Sequence, residues 1–186
     1  MRHHDAGKTT RDILNARNVI KALKVRDGMI LVDAGCGDGF ISIEASKAIG
    51  SGRIYAIDIY EESINILKRT IKEENIGNIR AILGDITRKL PIPESTVDIY
   101  LMANVLHGLV ANKRVKPVME EIRRVLKPDG KLAIVEFKKE SRVGPHPSLR
   151  LDPRETSDII KVYGFYTVRV EDVGPYHYIL VARMLV

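Results

Sequence analysis

The sequence Val32-Asp33-Ala34-Gly35-Cys36-Gly37-Asp38-Gly39-Phe40 decides the fold of this chain. The apolar residues 29–32 lead into it and are typical of a short buried strand. Apolar residues recur with helical spacing over 41–49. The order strand, glycine turn, helix is typical of an open α/β sheet, in which ligands bind beyond the carboxyl ends of the strands. Glycine permits the sharp turn and the close approach of a ligand to the backbone.

The glycines of this loop are spaced Gly-x-Gly-x-Gly, at Gly35, Gly37 and Gly39. A dinucleotide-binding loop has the spacing Gly-x-Gly-x-x-Gly, and its third glycine would fall on Phe40. No Gly-Lys-Ser/Thr follows, so the loop is not a P-loop. A purely structural turn is the remaining alternative, and the residues downstream decide against it.

A carboxylate follows the second predicted strand, residues 53–59, at its carboxyl end. Asp58 lies about 20 residues past the glycine loop, where an acidic residue can accept hydrogen bonds from the hydroxyl groups of a ribose. The structural alternative is that Asp58 caps the helix predicted over 61–74. The pair of glycine loop and Asp58 predicts a nucleoside-binding site.

Two motifs resemble those of the class I S-adenosylmethionine (SAM) methyltransferases. The first is Asp33-Ala-Gly-Cys-Gly-Asp-Gly39, which resembles motif I of that family. The second is Val125-Leu-Lys-Pro-Asp-Gly-Lys-Leu-Ala-Ile-Val-Glu-Phe137, which is most similar to the fifth-strand region of the quinone-methylating and related small-molecule branch. The resemblance covers residues 25–140 and extends to the tail by pattern. It implies one α/β domain over 1–186: a Rossmann-like, doubly wound, seven-stranded sheet, mostly parallel, with a C-terminal antiparallel hairpin.

The resemblance also implies the cofactor, SAM, and its product, S-adenosylhomocysteine. The glycine loop and the N-terminus of the next helix suit the anionic carboxylate of the methionine moiety. Asp33 is expected to order the loop or to bind the methionyl ammonium, and Asp85 is expected to accept from the adenine amine, with Ile86 against the ring. For Asp85 the alternative is a turn aspartate. The expected cofactor-binding residues are Asp33, Gly35, Cys36, Gly37, Gly39, Asp58, Ile59, Gly84, Asp85, Ile86 and Asn104.

The acceptor side is expected at the end of the fourth strand, predicted over 97–103. His107 follows it, next to the expected position of the transferred methyl, and is the candidate catalytic residue, although a lone histidine is often structural. The loop 138–147 contributes Arg142 and His146 as candidate acceptor contacts. Residues 1–24 form a leading segment, with a helix over 9–24 capped by Thr10, which either lies over the cofactor mouth or only packs on the sheet.

The remaining elements follow from periodicity and turn signals. The turn Pro128-Asp129-Gly130 precedes the fifth strand. Further helices are predicted over 113–124 and 153–163, the third strand over 79–84, the fifth strand over 131–137, and the terminal strands over 165–173 and 176–186.

Several acceptor classes lack their motifs. Nucleobase amino-methylating enzymes carry Asn/Asp-Pro-Pro-Tyr/Phe after strand four, where this chain has Ala103-Asn104-Val105-Leu106. Cytosine C5 methylation needs a thiolate, but the only cysteine, Cys36, lies in the cofactor loop. No metal is expected, because strand four carries no set of carboxylates and because His3, His4 and Asp5 lie at a terminus. With these classes excluded, the expected acceptor is a small or lipophilic molecule, such as a quinone-like phenol or an amine. Alignment of the reactants supplies much of the catalysis, so no protein nucleophile is expected.

Composition bounds the remaining alternatives. The 186 residues suit one domain, and a net charge of +6 could serve a nucleic-acid partner. The basic residues are spread along the chain, and glutamine and tryptophan are absent, which is typical of a thermophile-like charged surface. An RNA methyltransferase and a non-catalytic SAM-binding subunit stay open as alternatives, whereas Phe40 disfavours an NAD-dependent oxidoreductase.

The expected location is the cytoplasm. One cysteine cannot form an internal disulfide. No apolar run approaches the ~20 residues of a membrane span, and the first seven residues contain no apolar signal core. The sequence leaves the oligomeric state open.

Overall fold

The structure, a computed structural model, describes residues 10–185. The strands are β1 (Ile30–Ala34), β2 (Arg53–Asp58), β3 (Ile79–Leu83), β4 (Val97–Ala103), β5 (Leu126–Phe137), β6 (Phe165–Asp172) and β7 (His177–Met184). The helices are α1 (Ala16–Leu23), α2 (Phe40–Ile49), α3 (Glu61–Glu73), α4 (Leu106–Ala111), α5 (Val115–Val125) and α6 (Pro153–Lys161), with a 3₁₀ turn at Pro147–Leu149.

The strands form one sheet in the order β3-β2-β1-β4-β5-β7-β6. The first five run parallel, and β7 pairs antiparallel with both β5 and β6. This confirms the predicted doubly wound α/β sheet with its C-terminal hairpin. The strand order reverses at β1, which pairs with β2 on one side and β4 on the other, and such a reversal opens a ligand crevice at the carboxyl ends.

Helices cover both faces of the sheet. Buried side chains of α1, α2 and α3 form one core cluster with one face of the sheet, and those of α4, α5 and α6 form a second cluster with the other face. The central strands are therefore buried on both sides: Leu31 and Val32, adjacent on β1, belong to opposite clusters. No helix within residues 10–185 is long and apolar enough to cross a membrane.

The first helix is shorter than the predicted 9–24. Its N-cap is Asn15, not Thr10, because the Asn15 side chain accepts from the backbone N–H groups of Arg17 and Asn18 at 2.9 and 3.4 Å. It ends at Leu23, since Lys24 is left-handed with φ +54°. The residues before the helix form a turn, and Thr10 lies beside Asn104 at the carboxyl edge of the sheet.

The fifth strand is longer than predicted. Val97 pairs with Leu126, and the next pair is Ile99 with Lys131, so residues 127–130 bulge opposite Asp98. The Asp98 carboxylate stabilises this bulge, because it accepts from Lys127 Nζ at 2.6 Å and from Ile30 N at 2.8 Å. The predicted Pro-Asp-Gly turn thus lies inside β5.

Candidate functional site

A cavity of about 790 Å³ opens at the carboxyl ends of β1, β2 and β4, where the strand order reverses. His107 and every predicted cofactor residue except Gly39 line it. Gly39 lies instead against Leu67 of α3. The lining residues among the predicted cofactor contacts are Asp33, Gly35, Cys36, Gly37, Asp58, Ile59, Gly84, Asp85, Ile86 and Asn104.

The three glycines of the loop are required for different physical reasons. All have positive φ, at +78°, +54° and +78° in chain order, which side chains rarely adopt. A Cβ on Gly35 would lie 2.5 Å from Val105, and one on Gly39 would lie 2.4 Å from Leu67. A Cβ on Gly37 would meet no atom within 4 Å. Gly37 therefore exposes bare backbone to the cavity, whereas Gly35 and Gly39 are packing positions.

The carboxylate of Asp58 connects the loop to the second strand. Its Oδ2 accepts from Gly37 N at 2.8 Å, and its Oδ1 accepts from Tyr60 N at 2.9 Å, just before α3. Each carboxylate oxygen can accept a second hydrogen bond. The structural and the ligand-binding interpretations of Asp58 are therefore compatible.

Asp33 is buried beneath the glycine loop. Its Oδ2 accepts from the Ser42 hydroxyl at 2.6 Å, and its Oδ1 has no hydrogen-bond partner among the described residues. Burial, with the nearby Asp58 charge, outweighs the Ser42 hydrogen bond and raises the pKa of Asp33 to about 6. The Oδ1 of Asn104 also lacks a donor within residues 10–185. Two acceptors without donors fit a cationic ligand group.

Asp85 is held by neighbours at the cavity wall. Its Oδ1 accepts from the backbone and hydroxyl of Thr87 at 2.9 and 2.7 Å, and its Oδ2 accepts from Arg114 Nη2 at 3.0 Å. Partial burial acts to raise the pKa of Asp85, but these hydrogen bonds outweigh it and lower that pKa. The carboxylate is thus a charged acceptor, and Arg114 is a lining residue that the sequence analysis did not select.

Cys36 lines the cavity as a thiol. Its Sγ lies 3.5 Å from the Gly37 carbonyl oxygen. Burial and the charge of Asp33 raise its pKa well above the ordinary value. A thiolate nucleophile is therefore disfavoured at this position.

His107 lies in the first turn of α4, beside Glu136 at the end of β5. Its Nδ1 is 2.7 Å from Glu136 Oε2, and its backbone N donates to Oε1 at 3.0 Å. Both side chains are buried. The backbone hydrogen bond holds the carboxylate in place, and the Nδ1 contact orients the ring. Sequence reasoning missed Glu136, although a lone acidic residue at the end of the apolar run 132–137 was the available signal.

The acceptor-side wall differs from the prediction. Arg142 and His146 are not among the lining residues; the same loop contributes Gly144 and Pro145, and Gly144 lies against the ring of Phe137. Ile13 and Leu109 add further apolar surface. No group of three metal-ligating side chains occurs within residues 10–185, and His3, His4 and Asp5 lie outside that range.

The segment before α1 lies at the same cavity. Thr10 and Ile13 line it, and Asn104 Nδ2 is 3.4 Å from Thr10 Oγ1. Arg11 Nε donates to Asp38 Oδ2 at 3.2 Å, and its guanidinium lies 6.0 Å from the Phe40 ring centroid. The leading segment therefore contacts the glycine loop.

The glycine loop and the carboxylate at the end of β2 line one cavity. This arrangement is typical of an α/β protein that binds a nucleoside. A family model described as a methyltransferase domain matches residues 31–130, more than half of the chain. A solved SAM-dependent methyltransferase from Aquifex aeolicus is 32% identical, with a TM-score of 0.83 over 94% of this chain and 92% of that one. The chain belongs to the SAM-dependent methyltransferase family, of the class I fold. SAM is the cofactor of this family.

Curated relatives point to one branch. A demethylmenaquinone methyltransferase from Lactobacillus johnsonii is 32% identical over 122 residues, which is 64% of this chain and 48% of the relative. A ubiquinone/menaquinone biosynthesis C-methyltransferase, UbiE, from Azotobacter vinelandii is 30% identical over 127 residues, which is 67% of this chain and 49% of the relative. The chain spans about half the length of these curated relatives.

Proposed function

We propose that this chain transfers the methyl group of SAM to a small aromatic acceptor of the reduced-quinone or phenol type. The observation that carries the proposal is the division of one cavity into two chemically different halves. Asp33, Asp58 and Asp85 line one half. Phe137 and Leu109 line the other half with His107, at the ends of β4 and β5, on the opposite side of β1 from β2 and β3. The polar half suits the cofactor, and the apolar half suits a flat, poorly hydrated ring.

The cofactor residues are assigned by their hydrogen-bonding capacity. When bound, SAM supplies an electrophilic methyl on its sulfonium. Asp58 is assigned to the ribose, since its oxygens lie beside the loop backbone and each retains accepting capacity. Asp33 and Asn104 are assigned to the methionyl ammonium, because each has a buried side-chain oxygen that accepts no hydrogen bond from residues 10–185. Asp85 is assigned to the adenine amine, and Arg114 keeps its carboxylate charged.

His107 is assigned as the general base. With Nδ1–H directed to Glu136, the basic nitrogen of the neutral ring is Nε2. That nitrogen accepts the proton of a ring hydroxyl, which leaves an electron-rich oxygen and adjacent ring carbon to attack the methyl. With SAM bound, transfer would break its methyl–sulfur bond and leave the neutral thioether of S-adenosylhomocysteine. Transfer to the ring oxygen would need no further proton loss, whereas transfer to the ring carbon would also release the proton of that carbon to solvent as the ring becomes aromatic again.

The cofactor assignment is tested by thermal unfolding. Saturating SAM or S-adenosylhomocysteine should raise the melting temperature, because a ligand at a hundredfold excess over its Kd stabilises the native state by about 2.7 kcal/mol. NAD at the same concentration is the control and should cause no shift. Equal shifts with all three would contradict the assignment.

The acceptor is tested by transfer of a labelled methyl group to reduced demethylmenaquinone and, in parallel, to total RNA. The proposal expects label in the quinone fraction. Labelling of RNA alone, in a complex that persists at physiological salt, would support the alternative that the net charge of +6 suggests. Cofactor binding with no transfer to any acceptor would support a non-catalytic subunit.

The base is tested by His107→Ala. Turnover should fall by ~10²–10⁴-fold while S-adenosylhomocysteine affinity stays unchanged. Asp158→Ala is the control, because Asp158 is exposed on α6 and does not line the cavity. Turnover of His107→Ala within a few-fold of that control would make this an enzyme that acts by alignment alone.

A further inference from the structure

A buried guanidinium organises the loop on the acceptor side of the cavity. Arg150 follows the 3₁₀ turn and is 7% exposed. Its Nε donates to the carbonyl of Pro145 at 2.9 Å, and its Nη1 donates to the carbonyl of Lys139 at 3.0 Å and to that of Ser141. Among residues 10–185, no carboxylate forms an ion pair with it. Three backbone carbonyls thus replace the water that a buried charge loses.

These carbonyls belong to the segment that forms the cavity wall. Gly144 and Pro145 line the cavity, and Pro145 bonds directly to Arg150. Gly144 has φ +103°, and a Cβ there would lie 2.6 Å from the ring of Phe137. The backbone therefore lies directly on Phe137, and a small displacement of the loop changes the width of the acceptor half.

Arg150 itself is tied to the sheet. The next residue, Leu151, accepts a hydrogen bond from the Tyr178 hydroxyl at 2.8 Å, and that hydroxyl also lies 2.7 Å from Thr156 Oγ1. Tyr178 is buried on β7. At the other end of the loop, Lys138 N donates to the Tyr176 carbonyl at 2.8 Å. Both ends of the loop are thus fixed, and Arg150 links its interior to one of them.

We propose that Arg150 is a positioning residue for acceptor binding: it holds residues 139–145 against Phe137 as one wall of the acceptor half. This inference rests on the proposed function for its acceptor, but its structural part does not need an acceptor. A planar guanidinium can donate to several carbonyls in fixed directions, whereas a lysine ammonium is a single point donor. Arginine at this position therefore provides a positive charge, as lysine would, and in addition fixes the conformation of the loop.

The first experiment measures the loop directly. Trypsin can cut within the loop after Lys138, Lys139 or Arg142. In Arg150→Met, cleavage at these sites should be at least about tenfold faster than in the wild type under native conditions, since opening costs less free energy. Arg154→Met is the matched control, because Arg154 is an exposed neighbour on α6. Cleavage of both variants at the wild-type rate would overturn the proposal.

The second experiment separates acceptor from cofactor. In Arg150→Met and Arg150→Lys, the KM for reduced demethylmenaquinone should rise about tenfold or more, with kcat within a few-fold and S-adenosylhomocysteine Kd within twofold of the wild type. A parallel loss of cofactor affinity, or an unchanged acceptor KM, would overturn the positioning role. If Arg150→Met does not fold, Arg150→Lys decides: wild-type proteolysis and KM in that variant count against the proposal.

Failure of the proposed function and failure of the positioning role of Arg150 can be told apart. If the wild type methylates no small aromatic acceptor, the proposed function fails, and the trypsin comparison still decides whether Arg150 holds the loop. Gly144→Ala gives an independent check of the wall, because its Cβ would push the loop away from Phe137 without changing Arg150. It should raise the acceptor KM and leave S-adenosylhomocysteine affinity unchanged; an unchanged KM would contradict the wall.

Discussion

Asp58 joins two parts of the cofactor half with one carboxylate. It accepts from the loop at Gly37 and from Tyr60 just before α3, so backbone groups of the protein hold the carboxylate in place. A nucleoside at this position would meet a carboxylate that is already oriented. Such preorganisation reduces the entropy that binding must overcome.

Asp58→Ala should therefore affect both binding and stability. We expect S-adenosylhomocysteine affinity to fall by about 1.5–3 kcal/mol, the scale of hydrogen bonds to a charged group, measured by calorimetry. Leaving two backbone N–H groups without acceptors should also cost about 1–3 kcal/mol of unfolding free energy. Asp158→Ala, at an exposed position of α6, is the control. Unchanged affinity in Asp58→Ala would remove this residue from the site.

Residues at strand ends were predictable, and residues that act through burial were not. The glycine loop, Asp58 and Asp85 directly follow apolar strands, so their place at the carboxyl edge follows from the chain alone. Glu136 acts on His107, which is 29 positions earlier, and this pairing needs the register of β4 and β5. Arg150 bonds only to backbone carbonyls, which no sequence pattern identifies.

At the scale of the elements, the position of α2 depends on how closely its N-terminus packs against α3. Gly39 is its N-cap in a left-handed conformation, and no side chain caps it. The absent side chain lets Leu67 of α3 pack against the loop, and Leu67 is fully buried. The third glycine of the motif thus sets the packing of α2 against α3, and it does not line the cavity.

Gly39→Ala should destabilise the protein by about 2–5 kcal/mol. A left-handed alanine costs roughly 1–2 kcal/mol, and overlap with Leu67 adds about 1–3 kcal/mol. Gly77→Ala is the control, because its Cβ would meet no atom within 4 Å and should change stability by less than about 0.5 kcal/mol. Urea unfolding measures both variants. Equal midpoints would show that Gly39 is free to carry a side chain.

Element boundaries show where local and tertiary signals compete. Strand β4 matches the prediction of 97–103, because the apolar run 99–103 is typical of a strand in a sheet that is covered on both faces. Helix α4 was not predicted, since its six residues are too few for a periodic pattern. Its first turn is held from outside, by the bond from His107 N to Glu136. Helix α1 begins late because the Asn15 cap is local and stronger than the apolar periodicity before it.

Across the whole molecule, two buried groups respond to acid in opposite directions. Burial and nearby Asp58 raise the pKa of Asp33 to about 6, so its stabilising contribution is full below its ordinary pKa of 3.8 and is lost as pH rises through 6. Burial and the charge of Lys138 lower the pKa of His177 to about 4. Its contribution is full above 6.5 and is lost as pH falls through 4. Each effect amounts to roughly 3 kcal/mol, at about 1.4 kcal/mol for each unit of pKa.

Between pH 7 and pH 4 these two contributions should nearly cancel in the wild type, and single variants should separate them. His177→Phe keeps a ring against Phe137, whose centroid is 4.1 Å away, and removes the buried base. Relative to the wild type, Asp33→Asn should lose more unfolding free energy on acidification, and His177→Phe should lose less. Groups common to all variants cancel in this comparison.

The double variant should follow the wild-type pH dependence. The two groups lie three strands apart in the sheet, roughly 14 Å, so their effects should add. Urea unfolding at about pH 7, about pH 5.5 and about pH 4.5, from above the shifted pKa of Asp33 to near that of His177, measures the four proteins. If both single variants change the pH slope in the same direction, one of the two burial arguments is wrong. Asp33→Asn should in addition be more stable than the wild type at pH 7 and bind S-adenosylhomocysteine more weakly, because the buried charge that destabilises the fold is the one assigned to the ligand ammonium.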